Sequence, residues 1–202
     1  MKWILPVLAS LCVAAANAQD VAPDQLIKSV SNDVLEIVRQ DKDIQSGNAS
    51  KAVELIDAKV LPHFNFTHMT ALAMGKDWRQ ATPAQQKALA DEFRTLLVRT
   101  YSKALTEYRN QTIEFKPFRM QPADADVTVR TQVNQSGAKP VQIDYNLEKT
   151  DKGWKVYDIA VSGISLVTNY RSSFAQEVSA NGVDSLIASM RTKNQGGAGQ
   201  KK

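Results

Sequence analysis

Two histidines, His63 and His68, are the only imidazoles in the chain, and they stand five positions apart. Side chains share a helix face at three or four positions, so this spacing suits one metal site poorly. No H-x-x-x-H pattern and no carboxylate cluster accompanies them, which favours a surface or loop role over a metal centre. Gly163-Ile164-Ser165 has the opening of a G-x-S-x-G nucleophile elbow, at what reads as a strand-to-helix joint. Val167 stands where the second glycine belongs, and the tight elbow needs that glycine. Gly163 then permits a bend and Ser165 caps the following helix. Among the carboxylates, Asp124 and Asp126 flank a strand start and read as solvated. Asp144 and Asp158 alternate with apolar neighbours in strands. Asp158 is the one that could act as a base on a cupped sheet; facing solvent or pairing with an arginine is the plainer expectation. No glycine-rich phosphate loop is present. The residues that could do chemistry are few and scattered.

The N-terminus explains the missing thiol chemistry. Lys2 precedes a short apolar run from Trp3 to Ala16, too short to span a bilayer. Ala16-Asn17-Ala18 is a small-x-small cleavage site, so residues 1–18 read as a secretory signal peptide and the mature chain as starting at Gln19. Cys12, the single cysteine, lies inside that leader, and Leu11 before it is too large for lipoprotein processing. The expected product is exported, periplasmic and without disulfides. The net charge of +4 among 202 residues, with no dense basic cluster before Lys201 and Lys202, is no basis for nucleic-acid binding.

The elements that must position these residues follow from periodicity. Pro23 to Arg39 reads as a helix with Leu26, Val30, Val34 and Val38 at steps of four. The polar stretch from Asp41 to Ser50 reads as a loop. A second helix, from about Ser50 to Leu61, stops at Pro62. HFNFTHMTALAMG is short, aromatic and methionine-rich. Thr82, Pro83 and Gln85 make a capping box, and an apolar stripe continues to Tyr108. A helix of roughly 25 residues would be near 40 Å long, a spine for the domain. Beyond Asn110 the period falls to two. Ile113–Phe115, Val127–Val133, Val141–Leu147 and Trp154–Val161 read as strands of an antiparallel meander joined by tight turns. After Gly163 the helical period returns, through Tyr170 and Phe174, and a last helix spans Val183 to Met190. The fold class is therefore α+β, with a curved antiparallel sheet packed on a long helix. Residues 19–193 form the domain, its helical part at about 23–80 and its helix-plus-sheet part at about 82–193. The tail 194–202, with Gly196, Gly197 and Gly199, is expected to be disordered.

Phe64, Phe66, Met69, Leu72, Met74 and Trp78 crowd into one short span. Core packing explains such a cluster; so does an adaptable wall around a flexible apolar ligand. Two long blocks, VLPHFNFTHMTALAMGKDWRQATPAQQKALADEFRTLLVRTYSKAL and GWKVYDIAVSGISLVTNYRSSFAQEV, bracket the meander. In this arrangement the chain resembles the MlaC family of periplasmic phospholipid-binding proteins, also called toluene-tolerance auxiliary proteins, from about Asp24 to Met190. One departure is Asn65, where the resemblance implies an acidic residue in many members, a local cap or salt bridge.

The resemblance implies a fold like nuclear transport factor 2 with an N-terminal helical subdomain. It implies a non-enzymatic carrier whose cargo is phospholipid, with tails between sheet and helices and the head group at the mouth. No cofactor or metal belongs to that role. The implied partners are an inner-membrane ABC-transporter complex with a substrate-binding ring and an outer-membrane lipoprotein–porin complex; the carrier itself is expected to be a monomer. On that reading the meander contributes Val129, Val133, Ile143, Tyr145 and Leu147 to the lining. The long helix adds Phe93, Leu97, Tyr101 and Leu105, and the methionine-rich segment adds Phe66, Met69 and Leu72. The joint region adds Val161, Ile164, Val167 and Tyr170, and Arg171 is placed near the head group. The competing functions are a cupped-sheet enzyme using Asp158 or His63, and a periplasmic adaptor whose cavity is incidental.

Overall fold

The computed structural model describes residues 21–196; the signal-peptide reading, with Cys12, lies outside them. Helix α1 (Pro23–Gln40) begins on a proline whose absent N–H is no loss in the first turn, and buries Ile27, Val34 and Val38. The Asp41 carboxylate then accepts the N–H groups of Asp43 and Ile44. That cap starts a one-turn helix, α2 (Lys42–Gln45), inside the stretch read as loop, and it buries Ile44. A local side-chain cap overrides polar composition here. Helix α3 (Ala49–Lys59) is capped by Asn48.

The methionine-rich segment is helix α4 (Phe66–Met74), capped by Asn65 and ended at Gly75, whose φ of 58° favours glycine. Asn65 also donates from its backbone N–H to the Val156 carbonyl and from its amide to Glu148 Oε1. The start of α4 is thus tied to the sheet at two points. Helix α5 (Pro83–Tyr101) carries the expected capping box. It stops at Tyr101 rather than Tyr108. Ser102 is buried and turns its hydroxyl back to the Arg99 carbonyl, a habit that bends helices. A further single turn, α6 (Lys103–Thr106), follows, and Tyr108 then swings against α1. Its phenol accepts from both Nε and Nη2 of Arg39 and donates to the Gln111 carbonyl.

Five antiparallel strands form one meander: β1 (Thr112–Phe115), β2 (Asp126–Asn134), β3 (Val141–Thr150), β4 (Gly153–Val161) and β5 (Ile164–Ser165). The register skips one residue between β3 and β4, leaving Tyr157 opposite no partner between the Asn146–Asp158 and Leu147–Val156 pairs. Such a bulge sharpens twist and helps the sheet curve. β5 was not legible as a strand. Ser162 and Gly163, at φ 49° and 81°, make the reversal that folds it back on β4. Helix α7 (Arg171–Asn181) and helix α8 (Val183–Gly196) close the chain. Asn194, where the tail is expected to begin, still lies in α8, which runs to Gly196. Asn194 is buried and donates to both the carbonyl and the Oε2 of Glu92. These anchors hold the last turn against α5.

The buried apolar residues fall into three clusters. A helical one joins α4, α5, α7 and α8 around Phe93, Met69 and Met190. A second lies on the sheet, where Val129, Leu147 and Val156 pack with Ile27 of α1. The third gathers Val34, Val38, Ile44, Leu55 and Tyr108 between the N-terminal helices and the end of α6. The space where they meet is incompletely filled.

Candidate functional site

Two apolar cavities occupy that junction. The first, about 220 Å³, lies between α3, α4, α5 and β4, with Ile56, Met69, Val98, Tyr101 and Leu166 in its wall. The second, about 240 Å³, lies between α1 and the sheet, lined by Val30, Val34, Tyr145 and Val156 among others. Val60, Phe64, Leu105 and Ile159 line both. These four form a septum, and they come from the margins of all three clusters. A wall made of side chains from separately packed units is easier to part than the interior of one unit.

A wider, polar groove of about 640 Å³ opens beside the first cavity and shares Leu61, Phe64 and Phe66 with it. Its rim carries Asp57, Asp91, Asp151, Arg94, Lys152 and Lys155. Phe64 therefore touches all three spaces. It is held by a bridge to Val156 and by stacking against Phe66 at 5.8 Å between ring centres.

The expected lining divides among these places. Phe66, Met69, Leu97, Tyr101 and Leu105 line the first cavity. Tyr145 lines the second, with Leu105 again. Phe93, Val129, Leu147 and Val167 sit in filled core, and Leu72 and Tyr170 pack partly buried against the helical cluster. Val133, Ile143 and Val161 are half-buried on the sheet, away from both cavities, and Ile164 is 64% exposed at the hairpin tip. Strand alternation identifies a buried face but not where that face meets empty space. The septum residues Val60 and Ile159 went unnoticed for the same reason. Phe64 was visible as part of the aromatic segment.

Polar groups in the cavity walls are kept neutral. Burial holds the Tyr145 phenol above its usual range, against the opposing effect of hydrogen bonds with Thr131 and Ser31. Burial, with Lys155 nearby, holds the His63 imidazole below its ordinary 6.5. The unfolded chain thus takes up this proton first as pH falls. His63 supports the fold fully above pH 6.5, and that support drains away as pH drops from there through the lowered folded value. Urea titrations of wild type and His63→Gln between about pH 7.5 and about pH 5 check this; the acid-side loss shrinks in the variant. An equal loss in both proteins removes His63 as its source.

The remaining candidates for chemistry have structural work. Asp158 does not face solvent or meet an arginine: it is buried, and its carboxylate accepts the Val167 N–H at 3.3 Å. It lines neither apolar cavity. Ser165 accepts the Thr168 N–H in the turn after the hairpin, but α7 starts only at Arg171 and has no side-chain cap, so Ser165 does not cap that helix as expected. His68 stacks on Tyr157, and its Nδ1 lies 3.0 Å from Glu148. Arg171 donates through Nε and Nη2 to the Leu72 carbonyl, joining α7 to the end of α4. Among the described residues no group of histidine, cysteine or carboxylates could hold a metal ion, and no helix is long and apolar enough to cross a membrane.

The model of the MlaC protein family matches residues 28–192. The chain belongs to the MlaC family. The toluene tolerance protein ttg2D of Pseudomonas putida is 26% identical over 185 residues, covering 91% of this chain and 84% of its own. The intermembrane phospholipid transport system binding protein MlaC of Haemophilus influenzae is 23% identical over 198 residues, 94% of this chain and 92% of its own. A solved phospholipid-binding protein from Ralstonia solanacearum, in complex with a phospholipid, superposes with a TM-score of 0.81 at 42% identity, covering 88% of this chain and 99% of that one. For an MlaC-family chain, the unfilled junction between three clusters is the feature to explain.

Proposed function

We propose that this chain is a non-enzymatic phospholipid carrier that takes acyl chains into the two cavities on either side of the septum. The paired apolar cavities carry the proposal. They lie in a fold that a 42% identical protein uses while complexed with a phospholipid. The energetics suit transport. Burying one methylene is worth about 0.8 kcal/mol, so a sixteen-carbon tail in water costs about 13 kcal/mol and two tails about 26. A lipid does not cross an aqueous compartment unaided at that cost. Moving the tail from bilayer to an apolar cavity is nearly balanced, so loading and release both stay possible.

In the same reading the leader directs the chain to the periplasm, where it acts as a soluble monomer between outer and inner membranes. Direction then comes from its partners: an inner-membrane ABC-transporter complex with a substrate-binding ring, and an outer-membrane lipoprotein–porin complex. No covalent step, cofactor or metal enters. Asp158 is buried, accepts the Val167 N–H and lines neither cavity, so of the two bases an enzyme reading would use only His63 reaches a cavity wall.

The test is solvent extraction of the protein purified from the periplasm, followed by mass spectrometry. Phospholipid in stoichiometric amount is expected. A chain that carries none, and takes none from liposomes, is not a carrier.

A further inference from the structure

The wall of the second cavity is hydrocarbon except at Ser31 of α1, His63 and Tyr145 of β3. Two of these belong to one cluster. Tyr145 lies on the same face of the sheet as Thr131 of β2, its diagonal neighbour, since Thr131 pairs with Ile143. The phenol is hydrogen-bonded to the hydroxyls of both Thr131 and Ser31. Thr131, fully buried, also donates to the Ile143 carbonyl at 3.1 Å. A hydroxyl carries one proton and two lone pairs. Three hydroxyls joined in three hydrogen bonds have therefore spent every proton, while lone pairs remain on Ser31 and Tyr145 at the cavity wall. Burial, with Lys155 nearby, favours neutral His63, whose ring then has one N–H to donate. Polar groups in the wall of an oily cavity are a cost unless the occupant answers them.

Resting on the carrier reading, we infer that the second cavity seats a hydroxyl group borne on an acyl chain. The chain's O–H gives its proton to a lone pair of Ser31 or Tyr145, and its oxygen is free to accept the His63 N–H. A plain methylene in the same place touches the same wall and answers none of these groups. A carboxylate has no proton to give and would bury its charge against oxygen lone pairs, so the acid end of a fatty acid does not fit there. Within a bilayer, a hydroxyl on the chain lies in hydrocarbon without a partner. Moving to this cavity gives it a hydrogen bond, a gain that an unmodified chain does not have. The chain can arrive in a phospholipid or as a free fatty acid, and the chemistry recognised is the same.

The probe is a vesicle of equal parts stearoyl and hydroxystearoyl phosphatidylcholine, offered to lipid-stripped protein. Separate vesicles carry the hydroxyl near the carboxyl end, at mid-chain and near the methyl end. A second arm offers stearic and hydroxystearic acids in the same way. Bound lipid is counted by mass spectrometry. Wild type is expected to take the hydroxylated chain in excess by about tenfold at the position that reaches the cluster. A preference in either arm supports the seat and names the source of the chain. Tyr145→Phe and Ser31→Ala, each shown to be folded by circular dichroism, should both bring the ratio back towards equality. Equal uptake by wild type at every position in both arms, with lipid bound, overturns the seat and leaves the carrier standing. So does a preference that both variants keep in full. Wild type that takes up no lipid at all overturns the carrier, and the seat with it.

Discussion

Phe93→Ala is expected to destabilise the chain by about 3–5 kcal/mol. Phe93 is fully buried in the helical cluster. Tyr170 and Phe174 meet its ring edge-on, at centroid distances of 5.1 and 5.3 Å. Truncation removes those contacts and leaves a void that α5 and the neighbouring α7 and α8 cannot close without moving. The ring lines neither cavity, so the native protein should keep its lipid capacity. Denaturant unfolding of the stripped variant measures the first effect, and lipid uptake from vesicles the second. A loss under about 1 kcal/mol, together with altered loading, would move Phe93 from the core to the cavity wall.

Leu105→Trp should have the opposite signature. Leu105 is half-buried and belongs to the septum, with empty space on both sides. An indole fits into that space, so the stability change should stay under about 1.5 kcal/mol. The room it takes is room for tail. Displacing two methylenes removes about 1.6 kcal/mol of burial, somewhat over tenfold in lipid partitioning. Vesicle-to-protein partition of a labelled phospholipid reads this directly. Unchanged partition in a folded variant would mean that tails do not pass the septum.

The contrast between these two positions shows where the sequence is informative. Both lie on the apolar stripe that follows Thr82, and periodicity treats them alike. The capping box, the meander and the turn at Gly163 were legible because each is decided within a few residues. The break at Ser102 was not, since it depends on one buried hydroxyl turning inward. Nor was the helix at Lys42, where the Asp41 cap outweighs a polar sequence. A cavity is harder still to foresee. It is a place where packing stops, set by the long-range meeting of α1, α4, α5 and the sheet, and no pattern along the chain records it. The family resemblance supplied the expectation of a lining; the residues Val60, Phe64 and Ile159 that separate the two cavities emerge only from the fold.

The Tyr157 bulge carries a consequence for evolution of the binding face. Strand side chains alternate, so a residue added to or lost from β4 ordinarily turns the rest of the strand inside out. The unpaired Tyr157 absorbs one such slip: beyond it, Asp158 and Ile159 keep their pairing with Asn146 and Tyr145, whatever happens at the Trp154 end. The same bulge lets Val156 and Ile159, three positions apart and on opposite sides of it, stand in the wall of one cavity. Removing the extra residue would turn one of the two away from that wall.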